Sequence, residues 1–361
     1  RDHGKRHGRS ARDRGGVAMF LGRGLVLGGG ERGLFLRGGR TSALPLIIDF
    51  STLPDGALPS PLLGATWLVA SGVAKNTPTL SAEKLSNPGF ESWTTSTNAA
   101  NWTESVAGTS TINQETSVIH GGANAARMDI DASNNVCELS QAPASQSLGD
   151  ILITSGWAKS SVAAKSFEVR NNNQSLEGRT ITPGTSYVEF VHTSALISLS
   201  STTRLISVAG TSASLYFDDI STKVPTRSTL MATFDSGNNN AIIKADWTSR
   251  MGALTGIVRN LDSASNPQNF VLAVMNASGS IILFKWVAGT PTRVATLAAA
   301  YVAGATLEVR KSGNTFSVYY NGAQAGTDQT ISDAGIVNNT IHGLFSTDPT
   351  SQCDFFSAAA A

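Results

Sequence analysis

Two kinds of residue in this chain could do chemistry at a surface: aromatic rings set among amides, and carboxylates on strands. Trp93, Trp102, Trp157 and Tyr187 share one stretch with the polar run Arg170-Asn171-Asn172-Asn173-Gln174. Such rings stack on sugar rings, while Asn, Gln, Asp and Arg hydrogen-bond to sugar hydroxyls. Groups that would break bonds are harder to find. The histidines are His3, His7, His120, His192 and His342, none in an H-E-x-x-H or triad-like setting. The chain has no G-x-S-x-G, P-loop or dinucleotide fingerprint. Cys137 and Cys353 stand far apart, without metal-ligand spacing. The expectation is a protein that binds and does not catalyse.

At 361 residues the chain has room for two or three domains with cores of their own. Hydrophobic residues make up 41%, enough to fold, but charged residues only 15%, well below the usual quarter. The balance is Ser, Thr, Asn, Gly and Ala, which suits sandwiches with polar, uncharged outer faces. The net charge of +1 conceals an asymmetry. Residues 1–40 hold nine Arg, one Lys, two Asp and one Glu, a net +7, so the remainder carries −6. No apolar run approaches the roughly 18 residues of a membrane span. Gly and Arg interrupt every apolar cluster near the start, so no export signal is read there.

The elements that must position the rings and carboxylates are strands. Arg23-Gly24-Leu25-Val26-Leu27-Gly28-Gly29 recurs as Arg32-Gly33-Leu34-Phe35-Leu36-Arg37-Gly38, apolar triplets between glycines that cannot fold alone. Residues 1–45 therefore read as a docking arm, through Arg23, Leu25, Leu27, Arg32, Leu34 and Leu36, or as a flexible linker. Leu46–Phe50 and Ala65–Val69 look like strands around the turn Pro54-Asp55-Gly56. Phe270–Val274 and Ile281–Trp286 flank Asn276-Ala277-Ser278-Gly279, and Leu307–Arg310 and Phe316–Tyr320 flank Ser312-Gly313-Asn314. Both pairs alternate with period two, predicting hairpins with one face inward and one wet. In Leu215-Tyr216-Phe217-Asp218-Asp219-Ile220 the same period sets Leu215, Phe217 and Asp219 on one face, with Tyr216, Asp218 and Ile220 on the other.

Three resemblances organise these pieces. Asn87-Pro88-Gly89-Phe90-Glu91 together with Tyr216-Phe217-Asp218-Asp219-Ile220 resembles the first and last strands of β-jelly-roll carbohydrate-binding modules. The 46–85 stretch and the pattern L-E-V-R-x-x-G-N-x-F-x-V-Y-x-N-G from Leu307 resemble concanavalin-A-like jelly rolls, closed by Cys353-Asp354-Phe355-Phe356. An Arg/Gly-rich arm joined to such sandwiches is similar to bacteriophage fibre, spike or decoration subunits. The implied fold is all-β: a concanavalin-A-like sandwich over 46–85 and 224–357, a carbohydrate-module-like jelly roll inserted at 86–223, and a tail at 358–361. Three consecutive units are the competing arrangement.

The resemblances carry functional expectations. In the carbohydrate modules the first-strand Glu and a last-strand Asp hold structural calcium, which implies Glu91 with Asp218 or Asp219 here. The family uses two tryptophans as core, matching Trp102 and Trp157. That leaves Trp93 and the loop of Asn171, Asn172 and Asn173 as sugar-binding candidates. Concanavalin-A-like glucanases carry E-x-D-x-x-E on one strand, and Glu308-Val309-Arg310-Lys311 lacks it. The virion resemblance implies a homo-oligomeric subunit in an extracellular particle, docked to other virion proteins and adhering to a host-surface polysaccharide. The alternative is a pair of binding modules from a secreted bacterial protein. The acidic body, with only Phe20 and Phe35 among the basic residues, argues against nucleic acid as partner.

Overall fold

The computed structural model describes residues 44–131, 136–171, 178–195, 201–275 and 279–361, and the backbone of 25–27. It is all-β, with four main antiparallel sheets enclosing two sandwich cores. The chain opens with β1 (Leu25–Leu27), β2 (Leu46–Asp49), β3 (Gly56–Ala57), β4 (Trp67–Ala70) and β5 (Val73–Asn76). Leu25 and Leu27 of β1 pair in parallel with Leu46 and Ile48, so this part of the arm lies on the chain's own sheet. Arg23, Arg32, Leu34 and Leu36 fall outside the described residues.

The middle of the chain supplies β6 (Trp93–Thr95), β7 (Asn98–Ala99), β8 (Thr103–Ser105), β9 (Thr111–Glu115), β10 (Ala125–Ile130) and β11 (Glu138–Gln141). It continues through β12 (Ile151–Ser160), β13 (Phe167–Arg170), β14 (Arg179–Ile181), β15 (Val188–Ala195), β16 (Thr203–Ser207) and β17 (Ala213–Lys223). One sheet runs β15-β12-β17-β10-β9 and the other β14-β13-β16-β11-β8. Ile112, Met128, Leu139, Phe167, Leu205 and Phe217 meet between them. This small sandwich is closed on itself.

The remaining strands are β18 (Met231–Asp235), β19 (Ala241–Thr248), β20 (Thr255–Leu261), β21 (Phe270–Met275), β22 (Ser280–Val287) and β23 (Thr290–Ala298). After them come β24 (Ala305–Ser312), β25 (Thr315–Tyr320), β26 (Ala323–Gln324), β27 (Gln329–Thr330), β28 (Ile341–Ser346) and β29 (Gln352–Ala360). The last strand joins the two ends of the chain: β29 pairs with β19 on one side and with β2 and β5 on the other. Phe50, Trp67 and Val69 from the opening thus share a core with Trp247, Leu307, Phe316 and Phe356. The second sheet of this larger sandwich runs β18-β28-β20-β21-β22-β23.

Three sequence expectations change. Residues 358–361 are no tail, because β29 runs to Ala360 and Ala358 is buried against the core. The hairpin of β21 and β22 has no wet face on β21, whose six residues are all buried. Val271, Ala273 and Met275 face the sandwich core, while Phe270, Leu272 and Val274 join a second cluster with Ile151 and Ala195 of the small sandwich. Sequence period shows only that a strand has two faces, and here both are covered. Finally, the alternation of β17 breaks at Asp219.

The two sandwiches also meet through polar contacts. Arg227 donates to the carbonyls of Pro267 (3.0 Å) and Gly149 (3.1 Å), one in each sandwich. Gly149 and Gly289 touch backbone to backbone with φ of +83° and +80°. A Cβ on Gly149 would strike the Gly289 carbonyl, so only glycine permits this approach.

Candidate functional site

The sheet of β9, β10, β17 and β12 in the small sandwich presents an outer face whose residues follow from the strand period. Ile112, Met128, Leu215, Phe217 and Ala158 point into the core. Their sequence neighbours must therefore point out. Register sets Asn113 beside Arg127, Arg127 beside Tyr216, and Tyr216 beside Lys159, a row crossing β9, β10, β17 and β12. A parallel row holds Thr111, Asp129 and Ser214. At about 4.8 Å per strand, four strands span roughly 14 Å. That is the length of an oligosaccharide rather than a single sugar.

Hydrogen bonds hold the row rigid. Arg127 reaches Glu115 (2.8 Å) and Asp129 (2.9 Å), and Asp129 also accepts from Asn113 (2.9 Å) and Ser214 (2.6 Å). Burial works against the charge on Glu115, but the N–H groups of Ser117 and Val118, then Arg127, overcome it and leave its carboxyl below the ordinary range. Tyr216 is half-buried, and the Lys159 ammonium hovers 5.6 Å from its ring centre. No hydrogen bond or carboxylate holds Lys159 among the described residues. The ring and its cation are free to engage a ligand.

One end of this face is walled by the segment between β9 and β10. Asp218, fully buried, accepts from the N–H groups of His120 (2.8 Å), Gly121 (3.0 Å) and Asp219 (2.8 Å). Burial pushes its carboxyl up, against the pull of the Gly121 and His120 N–H groups. The clamp lays the His120 ring flat on Trp157, with centroids 4.0 Å apart and planes 14° apart. Tyr187 closes the cluster edge-on and donates to the Val118 carbonyl (2.9 Å). His120 Nδ1 meets Asp219 at 2.8 Å, half of a catalytic triad in outline. Among the described residues no serine hydroxyl bonds the other ring nitrogen. The pair ties the segment between β9 and β10 to β17.

Asp219 departs from its expected face for a physical reason. Trp157 pairs with Asp218 and Ser155 with Ser221, so Asp219 and Ile220 both stand opposite Gly156, a β-bulge. Asp219 takes φ +50° and turns outward, while Ile220 drops into the core over Gly156.

The expected calcium ligands divide. Asp218 is buried and accepts three N–H groups. Among the described residues no three of His, Cys, Asp and Glu are grouped to hold a metal. Glu91 and Asp219 do flank Gly89 together. Glu91 accepts from Ala123 N–H (3.0 Å) and Asn124 Nδ2 (3.3 Å), and Asp219 keeps one oxygen without a donor. These two carboxylates are the side-chain oxygens a calcium ion would take, with backbone carbonyls completing its shell.

The expected sugar ligands differ in exposure. Trp93 is half-buried on the core, with Nε1 donating to the Phe90 carbonyl at 2.6 Å. Asn171 is fully buried, its Oδ1 accepting from Thr154 (2.6 Å) and Thr203 (3.3 Å) in a polar knot with Thr222. Asn172 and Asn173 lie outside the described residues. Sequence reading passed over Asn113, Arg127, Tyr216 and Lys159. The signal was there in the alternation of each with Ile112, Met128, Phe217 and Ala158.

No family model matches the chain. No curated protein matches it either. Among solved structures it is similar to the carbohydrate-binding module CBM66 from Bacillus subtilis, at 15% identity and TM-score 0.29, over 36% of this chain and 82% of that one. It is similar to the family 11 carbohydrate-binding module from Clostridium thermocellum, solved with a mixed-linked tetrasaccharide, at 13% identity and TM-score 0.29, over 39% and 94%. A third likeness is to the enzymatically active domain of bacteriophage CBA120 tailspike protein 4, at 14% identity and TM-score 0.33, over 39% of this chain but 21% of that one. Likenesses this partial carry no functional argument.

Proposed function

We propose that this chain is a non-catalytic glycan-binding protein whose binding surface is the open face of β9, β10, β17 and β12. One observation carries the reading. Tyr216 lies half-open in a row with Asn113 and Arg127, which hydrogen bonds fix, and with Lys159, which they do not: a stacking ring among hydroxyl-binding groups. In the same proposal the larger sandwich is a scaffold that displays this face, on a virion surface or beside another domain of a secreted protein. The histidines support the non-catalytic side. His192 and His342 are buried and held neutral, their pKa values driven down to about 3 by burial and then by the nearby arginines Arg179 and Arg259.

The test is a glycan panel probed with the full chain and with Tyr216→Ala and Tyr319→Ala. Saturable binding to at least one polysaccharide, weakened tenfold or more by Tyr216→Ala and unchanged by Tyr319→Ala, is the expected result. Absence of binding across the panel, or equal binding by Tyr216→Ala, overturns the reading.

A further inference from the structure

The larger sandwich buries two cations at one end of its core. Arg259 of β20 and Lys311 of β24 are 0% and 1% exposed. Arg259 Nη1 donates to the carbonyls of Ala241 (3.1 Å) and Val309 (3.0 Å), and Nε to Asn260 Oδ1 (2.9 Å). Its Nη2 has no partner. Lys311 Nζ donates to Asn240 Oδ1 at 3.0 Å, an oxygen shared with the Gly313 N–H. The two head groups thus gather at the consecutive residues Asn240 and Ala241. The Phe316 ring is near both, its centroid 5.4 Å from the guanidinium carbon and 5.9 Å from the ammonium.

Every partner of this pair is neutral: carbonyls, side-chain amides and one ring. His342, which shares the same end of the core, accepts the Asn260 N–H on Nδ1 and is held uncharged. Among the described residues no carboxylate pairs with either cation. Asp235, the acid that acts on His342, is exposed and bonded to Gly237 and Thr340. Burying one unpaired charge is costly, and two of like sign repel as well.

We propose that this end of the core binds one small monovalent anion, of the halide class, between Arg259 and Lys311. The anion answers two needs at once. It fills the open donors, which are Arg259 Nη2 and the ammonium N–H bonds that Asn240 does not take. It also halves the uncompensated charge, which a buried water would not do. Size follows from burial, because neither head group is accessible enough to admit a large, strongly hydrated oxyanion. The surroundings agree with an unmet charge: burial lowers Arg259 to about 9, and burial followed by Arg259 lowers Lys311 to about 8.

Thermal unfolding of the full chain in bromide, chloride and gluconate at equal ionic strength tests this. The expected result is a saturable rise of about 3 °C in Tm with either halide over gluconate. Lys311→Met should abolish that rise and melt higher than the wild type in gluconate, because it removes one of two like charges. Crystals grown in bromide should show an anomalous peak in contact with Arg259 Nη2. Equal Tm in all three salts, or a halide rise that survives in Lys311→Met, overturns the proposal. So does a crystal with only a water at that position.

Discussion

Each sandwich has an open sheet face on which a cation lies over a tyrosine ring, and the two faces use the same parts differently. On the small sandwich, Glu115 is bridged by Arg127, and Lys159 sits 5.6 Å over Tyr216. On the larger one, Glu308 is bridged by Lys244 (2.8 Å) and Arg310, and Arg310 sits 4.0 Å over Tyr319. The difference is which cation the carboxylate holds. Glu308 grips the same arginine that covers its tyrosine, so that ring is capped by an anchored, planar guanidinium. Glu115 grips an arginine one strand away and leaves Tyr216 under a loose lysine. In the proposed function, an aromatic ring on a sheet serves as a binding platform when the cation above it can leave.

The largest difference predicted within the comparison concerns acid. Both sandwiches bury a neutral histidine, His192 in the small one and His342 in the larger. Each has a folded pKa of about 3, below the unfolded value near 6.5. Between those values the unfolded chain binds more protons, so stability is full above pH 6.5 and falls as pH drops toward 3. The loss is on the order of 5 kcal/mol per histidine across the whole window. His192 Nε2 has no partner, so His192→Leu should remove about half of the acid loss due to the two histidines while leaving neutral-pH stability nearly intact. Chemical denaturation at pH 4.5 and pH 7 measures both slopes.

A second effect separates the two carboxylates. Glu115 caps the N–H groups of Thr116, Ser117 and Val118 besides holding Arg127, whereas Glu308 bonds only to side chains. Glu115→Gln should cost about 2–3 kcal/mol, and Glu308→Gln about 1 kcal/mol or less. Equal losses by urea denaturation would mean that the caps contribute nothing. Below these stands calcium. An ion shared by Glu91 and Asp219 would stabilise by about 1–2 kcal/mol at ten- to thirtyfold excess over its Kd. Calcium should therefore raise Tm in the wild type and leave Glu91→Gln unmoved, with a calcium-independent Tm refuting that ligand pair.

These contrasts also show what the sequence could reveal. Strand alternation was legible wherever one face stayed wet, as in β24 and β25, whose pairing runs from Leu307–Tyr320 to Ser312–Thr315. It misled on β21, because the cover for its second face comes from Ile151 and Ala195, far away in sequence. It misled again at Asp219, since a bulge is a property of two strands and the alternation of β17 belongs to one. The site was half-visible for a related reason. Trp93 and Asn171 have the chemistry of sugar ligands, but hydrogen bonds to Phe90, Thr154 and Thr203 draw them inward. Tyr216 has less obvious chemistry and better placement. Residue type names candidates, and register chooses among them.

The smallest effect tests the comparison most directly, because it touches only the cations above the two rings. Lys159 contributes a charge that no carboxylate claims, so in a complex it can swing from Tyr216 to a sugar hydroxyl as the ring is stacked. Lys159→Met keeps the aliphatic stem and removes the ammonium. It should weaken glycan binding about threefold, the worth of one exposed hydrogen bond or cation–π contact. Arg310→Met uncaps Tyr319, but the row beside that ring closes on itself in the Glu308–Lys244 ion pair (2.8 Å), so affinity should not change. If Arg310→Met instead adds a second binding event in calorimetry, capping alone separates the faces, and the braced row of Asn113, Arg127 and Asp129 is dispensable. If Lys159→Met binds as well as the wild type, the loose lysine is a bystander and Tyr216 works by stacking alone.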